Sequence, residues 1–422
     1  MIAHILQALM YPFLFLSMFF QVLLFISFFE NKKKIKGEGT HDLTEFPSVT
    51  IAVPCWNEEK TLPSTLDSLH GLDYPQEKLS IIIVDDGSKD GTLRIAQSYA
   101  DRYPQQITVL TKENGGKHTA VNLALAHSTS ELFGCLDADS FVAKKTLRIM
   151  VSHFNHDPQV MAVTPCIHIR KPKTIMQRLQ AIEYLINVFV RTAYGQLNSI
   201  LVAPGSFSIF RKEVFEKIGT YRKAHNTEDF EMTLRMHKAH LKIVNSHKAL
   251  VYTVGPATAR GFFHQHLRWA RGFLENALDY RELFFKKEFG TFGIMTLPGA
   301  FIFIFYGLYA TAFILYSIFV RLSESISRWL VVGFHPHVPV FDIFYVNTNV
   351  MAFIVMVMFS MALLSLYIGN SLSDDKQQFY YNFPIFFILY PLFAPLFFGR
   401  AVFDMLSNSR IDWVLQDTKH SS

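Results

Sequence analysis

Hydrophobic positions follow two patterns along this chain. Long unbroken apolar runs occupy both ends, and short apolar runs alternate with amphipathic stretches between them. Ile5 to Phe29 contains no charged side chain. At about 1.5 Å per helical residue it is long enough to cross a hydrocarbon core of about 30 Å. The run is too long for a signal peptide and lacks a small-x-small cleavage site, so it predicts an uncleaved anchor. Ile294 to Val320, Phe344 to Ile368 and Phe379 to Gly399 predict three more spans. The last contains Pro384, Pro391 and Pro395, which predict a kinked or partly re-entrant segment whose freed carbonyls need protein or water partners.

Between the ends, Ser48–Val53 is a short apolar run that stops at Pro54, and Glu58–Leu69 has helical spacing. Leu79–Val84 is a second run, followed by Asp85-Asp86-Gly87-Ser88 and a helix through Tyr103. Ile107–Leu110 reads as a third strand, Lys117–Ala126 as a helix, and Leu132–Leu136 as a fourth strand ending at Asp137. This alternation predicts an α/β domain with a parallel sheet covered on both faces. Ligands of such open sheets bind beyond the carboxyl ends of the strands. Here those ends carry Asn57 and Glu58, Asp85 and Asp86, Asn114 to Lys117, and Asp137 with Asp139. Four strands delivering polar residues to one edge describe a nucleotide-binding rim. A nicotinamide-type Rossmann site is disfavoured, because Val-Pro-Cys-Trp-Asn-Glu-Glu follows the first strand where G-x-G-x-x-G is required.

Composition sharpens the division. Half of the 422 residues are hydrophobic, and the 41 phenylalanines concentrate at the ends, as lipid-facing sequence does. A formal charge of +5 suits anionic lipid or nucleotide phosphate. Nucleic acid is excluded as a partner, since the basic residues are dispersed and form no recognition motif. Cys55, Cys135 and Cys166 have no C-x-x-C spacing and read as buried thiols of a reducing compartment. Lys32, Lys33, Lys34 and Lys36 follow the first span directly, which places the N-terminus outside and residues 31–293 in the cytosol. The outer loop Arg321–Pro339 conflicts mildly through Arg321 and Arg328, and the inner loop Gly369–Gln378 is neutral on this point, with Asp374 and Asp375 against Lys376.

The candidate chemistry is an Asp-x-Asp at a strand end, Asp137 and Asp139, followed by Thr227-Glu228-Asp229 and then by Gln265-x-x-Arg268-Trp269. Hard carboxylate oxygens suit Mg²⁺ or Mn²⁺ and leave metal positions open for phosphate. One of the two carboxylates can reach a metal while the other reaches a ribose. On a helix, residues 265, 268 and 269 share one face. In this order, and in a chain that crosses a membrane, these motifs resemble the membrane-bound inverting glycosyltransferases of family 2, which include cellulose, chitin, hyaluronan and poly-N-acetylglucosamine synthases. The resemblance covers nearly the whole chain, with the chemistry confined to residues 53–269. His266 departs from it, standing where processive synthases commonly have Arg.

The resemblance implies a GT-A-like, Rossmann-type nucleotide-sugar domain joined to transmembrane helices. It divides the chain into a first span (1–30), a linker (31–47), a cytosolic catalytic domain (48–255), interface helices with the Gln-x-x-Arg-Trp element (256–293), a membrane region of about three spans (294–402) and a tail (403–422). Thr174 to Leu197 and Gly261 to Phe285 are the segments suited to lie on the bilayer. Pro54, Asn57, Glu58, Asp85, Asp86, Lys117 and Asp137 are the expected nucleotide contacts, with either member of the Asp85-Asp86 pair on the base. Gly205 and Ser206 would line the donor sugar, and Glu228, Gln265, Arg268 and Trp269 would complete the substrate site. Asp229 is the expected general base, because inversion requires a carboxylate at the acceptor hydroxyl. Thr227 is also a competent helix start. Asp137 and Asp139 would hold Mg²⁺ or Mn²⁺. The expected partners are a UDP-sugar (UDP-GlcNAc or UDP-glucose), a growing glycan or a lipid acceptor, the bilayer and an accessory subunit. Processive β-linked synthesis with export is the first expectation. Single transfer to a lipid and a silent export or scaffold subunit are the alternatives.

Overall fold

The computed structural model describes residues 2–38, 43, 45–333, 350–373 and 379–407. The chain opens with α1 (Ile2–Glu30) and the short α2 (Lys32–Lys36). There follow β1 (Val49–Cys55), α3 (Leu62–His70), β2 (Leu79–Asp85), α4 (Thr92–Arg102), β3 (Ile107–Thr111), α5 (Lys117–His127) and β4 (Leu132–Cys135). Next come β5 (Ser140–Val142), α6 (Thr146–His156), β6 (Val160–Ile169), α7 (Ile175–Gln196), β7 (Ile209–Arg211), α8 (Glu213–Ile218), α9 (Glu228–Lys238), β8 (Lys242–Thr253) and α10 (Ala259–Asp279). The long helices α11 (Leu297–Val332), α12 (Val350–Leu372) and α13 (Phe379–Leu406) follow.

One sheet takes the order β3-β2-β1-β4-β7-β6-β8-β5. Its first half is parallel, as the alternation predicts, with β1 between β2 and β4, and β3 beside β2. The second half departs from that expectation. There β7 runs antiparallel to β4 and β6, β5 runs antiparallel to β8, and only β6 and β8 pair in parallel. Three-residue strands such as β5 and β7 are too short to show a hydrophobic period of their own.

The central strands are apolar on both faces because both faces are covered. Ile51, Val53, Ile81 and Ile83 pack with α3 and α6, while Ala52, Ile82 and Val84 pack with α5 and α9. This is the two-residue alternation of a strand, with each set finding its own layer of helices.

Among the described residues, four helical stretches are long and apolar enough to cross a membrane: Ala8–Glu30, Phe292–Val332, Val350–Leu372 and Asn382–Leu406. Two differ from expectation. α11 continues for 36 residues, about 54 Å, and so carries Arg321, Glu324 and Arg328 in helix where a loop is expected. α13 is one unbroken helix of 28 residues with Pro384, Pro391 and Pro395 inside it, not a re-entrant segment. The expected span start at Phe344, the loop residues Asp374, Asp375 and Lys376, and the tail residues Trp413 and Lys419 lie outside the described residues.

The expected interface helix from Thr174 to Leu197 is observed as α7, started by a capping box between Thr174 and Gln177. Its apolar stripe does not face lipid. Leu179, Ile182, Leu185 and Phe189 are fully buried, against α1, α10, α12 and α13. Phe25 and Phe28 of α1 pack on Phe189, tilted and edge-on, at 4.8 and 5.6 Å between ring centroids. α12 reaches the backbone of α7 at Gly369, where any Cβ would collide with the Leu185 carbonyl. α10 packs on α13 through Phe262–Phe393 at 5.7 Å and His266–Phe397 at 5.0 Å. Docked this way, α7 and α10 form a floor between sheet and membrane helices. The expected linker is anchored too. Ile35 is buried, and Glu38 accepts from Ser246 and faces His153 and His247.

Candidate active site

A cavity of about 1790 Å³ opens beyond the carboxyl ends of β1, β2 and β4 and extends over α7 and α10 to Leu396 and Arg400 of α13. From the expected set it collects Pro54, Glu58, Asp86, Lys117, Asp137, Asp139, Gly205, Ser206, Glu228, Asp229, Gln265, Arg268 and Trp269. Asn57 and Asp85 lie behind it. Asn57 takes a left-handed φ of 56°, which Asn tolerates, and ties the β1 loop to the β2 loop. Its N–H donates to Ser88 Oγ at 3.0 Å and its Oδ1 accepts from Lys89 N at 2.8 Å. Asp85 Oδ2 accepts from Ser88 N at 3.3 Å, which is turn chemistry.

Asp86 is the member of the pair that reaches the cavity. Buried to 4% exposure, it accepts from Lys112 Nζ at 2.6 Å, Gly115 N at 3.1 Å and Gly116 N at 2.9 Å. Those bonds shape the Gly115-Gly116 turn, where Gly116 has φ of 89°, and aim the next residue, Lys117, into the cavity. Lys117 Nζ lies 2.5 Å from Asp137 Oδ1 and 3.4 Å from Glu228 Oε1. Burial opposes its charge, yet Asp137 and then Glu228 hold the ammonium well above its usual range. Asn122 serves packing: its amide bonds the Tyr221 backbone at 2.8 and 2.9 Å.

Gly205 donates its N–H to Asp229 Oδ2 at 3.2 Å. A Cβ at Gly205 would come within 2.6 Å of Lys117 Nζ, so close approach of loop and ammonium favours glycine there. Phe207, fully buried with φ of 74°, ties this loop to β4 by donating its N–H to the Cys135 carbonyl at 2.7 Å. Asp229 stands in the first turn of α9 and also accepts the Phe230 N–H at 2.8 Å. Burial and then the Glu228 carboxylate raise its pKa, opposed by Lys117 and the two N–H donors. Thr227 sits at the N-cap without a capping side chain. Its hydroxyl instead donates to the Ala224 carbonyl at 3.2 Å and accepts from Asn276 Nδ2 at 2.9 Å.

Gln265, Arg268 and Trp269 present one face of α10 to the cavity. Gln265 Oε1 accepts from Gln180 of α7 at 2.7 Å, and Arg268 Nη1 donates to the Asn226 carbonyl at 3.1 Å. His266 points the other way and is buried, with Nε2 3.0 Å from Glu183 Oε2 and Nδ1 2.9 Å from the Phe262 carbonyl.

Some lining residues escaped the sequence reading. Trp56 follows β1, and Tyr184, Asn187 and Arg191 come from α7. Arg191 Nη2 donates to the Val202 carbonyl at 2.7 Å. The signal for the three on α7 was present: 184, 187 and 191 recur at helical spacing on the face of α7 opposite its apolar stripe.

The donor set suits a hard cation shared with a ligand. Asp137 and Asp139 both face the cavity, and no group of three His, Cys, Asp or Glu among the described residues could hold a metal by itself.

Glycosyl transferase family 2 matches residues 50–219. The chain is 31% identical over 259 residues to the poly-beta-1,6-N-acetyl-D-glucosamine synthase of Staphylococcus aureus (strain COL), covering 60% of this chain and 61% of that protein. It is 27% identical over 366 residues to the synthase of the same name from Staphylococcus epidermidis, covering 85% of each. The chain thus spans 61% of the length of the S. aureus relatives it matches. A mannosyltransferase from Pyrobaculum calidifontis, solved with GDP-Man and Mn²⁺, shares the fold at a TM-score of 0.58 and 18% identity, over 94% of this chain and 99% of that one. The matched stretch runs from β1 through the Asp-x-Asp and small-residue loop to the end of α8, and so this chain carries a glycosyl transferase family 2 domain, with a GT-A-like sheet, on a set of membrane helices.

Proposed function

We propose that the chain is a membrane-embedded inverting glycosyltransferase that uses a UDP-sugar, UDP-GlcNAc first, to extend a β-linked polysaccharide. The observation that carries this reading is a single cavity holding Asp229, Lys117, the Asp137–Asp139 pair and Arg268 together. The near full-length similarity to a poly-beta-1,6-N-acetyl-D-glucosamine synthase supports the choice of sugar.

In this reading Asp86 and the Gly115-Gly116 turn meet the nucleoside. Lys117 and Arg268 meet the diphosphate. One Nη1 hydrogen bond of Arg268 goes to Asn226, and a guanidinium carries five donors, so others remain for phosphate. Trp269 offers the acceptor sugar a flat wall. The acceptor oxygen attacks the anomeric carbon as the bond to the UDP oxygen breaks, and UDP leaves with the electron pair. Asp229 takes the hydroxyl proton, and its raised pKa improves it as a base near neutral pH. Held by Asp137 and Asp139, Mg²⁺ or Mn²⁺ would supply charge neutralisation for the diphosphate leaving group.

The cavity's reach to Leu396 and Arg400 of α13 gives the product a direct path to the membrane helices. The same contact supports a second reading, transfer of one sugar to a lipid acceptor. The catalytic domain faces the cytosol of a plasma membrane in either case, with Lys32 to Lys36 at the inner surface. The test is to incubate the purified chain with a panel of UDP-sugars, measure UDP release and size the product. Polymer from UDP-GlcNAc is expected. A single sugar on lipid selects the second reading, and no UDP release from any donor rejects both.

A further inference from the structure

Residues Ala224, His225 and Asn226 form a turn in which all three have positive φ, at 44°, 52° and 60°. L-residues avoid this region, and Ala has no side-chain hydrogen bond to offset it. The turn leads directly into Thr227, Glu228 and Asp229. Every residue of it is fastened to α10. Asn276 Nδ2 donates to the Ala224 carbonyl at 2.9 Å and to Thr227 Oγ1 at 2.9 Å. Arg268 donates to the Asn226 carbonyl at 3.1 Å. Gly272 leaves room for Thr227, whose side chain would collide with any Cβ there.

His225 makes the only ionic fastening of this turn among the described residues. Its Nδ1 lies 3.0 Å from Glu275 Oε2 and its Nε2 lies 2.9 Å from Asp279 Oδ2. Both carboxylates come from one face of α10, four residues apart. Two carboxylate acceptors on the two ring nitrogens fit an imidazolium, which alone donates from both.

We propose that His225, gripped by Glu275 and Asp279, is a positioning residue that fixes the turn leading into Asp229 against the helix carrying Arg268. Its consequence is that the base and the phosphate-facing guanidinium are set relative to each other by a charge outside the cavity. The inference rests on the roles given above to Asp229 and Arg268. Among the described residues, Glu275 and Asp279 are the charged groups that bond the ring. Arg271 stands behind, bonded to Glu275 at 2.9 Å, and α9 contributes no charged partner. The hydrogen bond to Glu275 first, and that to Asp279 with it, raise the His225 pKa to about 9 against burial. An unfolded His titrates near about 6.5. The clamp therefore contributes fully below about 6.5 and is lost as pH rises through about 9.

The test uses the full-length chain with UDP-GlcNAc as donor, reading UDP release across that pH window for the wild type, His225→Gln and His225→Lys. Wild-type kcat should fall as pH passes about 9. His225→Gln should lower kcat by about tenfold near neutral pH, leave donor KM nearly unchanged and lose the alkaline limb, since misplacement of reacting groups acts on kcat. His225→Lys, which keeps one cation, should recover most of kcat and move the limb upward. A His225→Gln variant with wild-type kcat, or with the same alkaline limb, overturns the inference. If the wild type releases no UDP from any UDP-sugar, the functional reading fails by itself. The clamp is then judged by unfolding temperature: a wild-type advantage over His225→Gln that fades above about 9 supports it, and equal temperatures near neutrality overturn it.

Discussion

Asp229 Oδ2 accepts the backbone N–H of Gly205 at 3.2 Å, so the acidic triplet and the small-residue loop, 24 residues apart, share one carboxylate. The loop that would line the donor sugar is thereby registered to the base. Asp229→Asn keeps the shape and removes the proton acceptor. We expect it to bind UDP as the wild type does and to transfer essentially no sugar, by UDP titration and UDP-release assay. In the wild type the acid limb of the rate profile should lie above the usual carboxylate range, because burial and Glu228 raise the Asp229 pKa. If the variant loses UDP binding but turns over normally at saturating donor, Asp229 is a donor ligand and not the base.

The rim was legible because β1, β2 and β4 are apolar on both faces and end in polar residues, which specifies strand, burial and ligand edge together. The run of three left-handed residues at Ala224 to Asn226 was not, since Asn226 alone signals at most one such residue and the backbone of Ala224 is held from α10. The spacing of Leu179, Ile182, Leu185 and Phe189 marks an apolar face on a segment suited to the bilayer, but that face packs on other helices. Periodicity demands an apolar partner but does not say whether that partner is a bilayer or another helix. The prolines of α13 do not make it re-entrant, for a related reason. Neighbouring helices and local adjustment can re-satisfy freed carbonyls without a break, and a local pattern does not report those neighbours.

Asp139 lines the cavity beside Asp137, which already carries the Lys117 ammonium on Oδ1. A second cation there is supported only if diphosphate supplies further oxygens, so metal and donor should bind together. Removing divalent ions with excess EDTA should stop UDP release, and Mg²⁺ or Mn²⁺ should restore it. Asp139→Asn should be nearly inactive with an unchanged unfolding temperature. Full activity of both the treated wild type and the variant would falsify the metal-dependent model.

Glu183 and His266 join α7 to α10 directly behind Gln265 and Trp269, at 3.0 Å and largely out of water. Burial opposes charge on His266, but Glu183 and the Phe262 carbonyl outweigh it and raise the pKa. Removing one partner of a buried pair costs about 3 kcal/mol, less where water reaches. Glu183→Gln should therefore lower the unfolding temperature measurably. His266 with a raised pKa adds stability fully below about 6.5, lost as pH rises through its folded value. The gap between wild type and variant should shrink at alkaline pH. A gap that stays constant across pH would mean that the pair acts through packing alone.

The last expectation concerns which side of the membrane each end occupies. α13 is helical without a break from Phe379 to Leu406, which removes the physical reason for treating it as re-entrant. With α1 before the catalytic domain and three apolar helices after it, parity puts both ends of the chain on one side. The lysines at 32, 33, 34 and 36 are each worth about 1 kcal/mol near an anionic inner surface and make that side the outer one. UDP-sugars are cytosolic, so the cavity between Pro54 and Trp269 is then on the side of the proposed donor. Single cysteines introduced at His4 and at Ser421, labelled in intact cells with a membrane-impermeant thiol reagent, should both react. Reaction at residue 4 with protection at 421 would mean that one of the C-terminal helices returns without crossing, and the catalytic domain would stay cytosolic. Protection at residue 4 would reverse the anchor, put the cavity outside the cell and leave a UDP-sugar enzyme without its substrate.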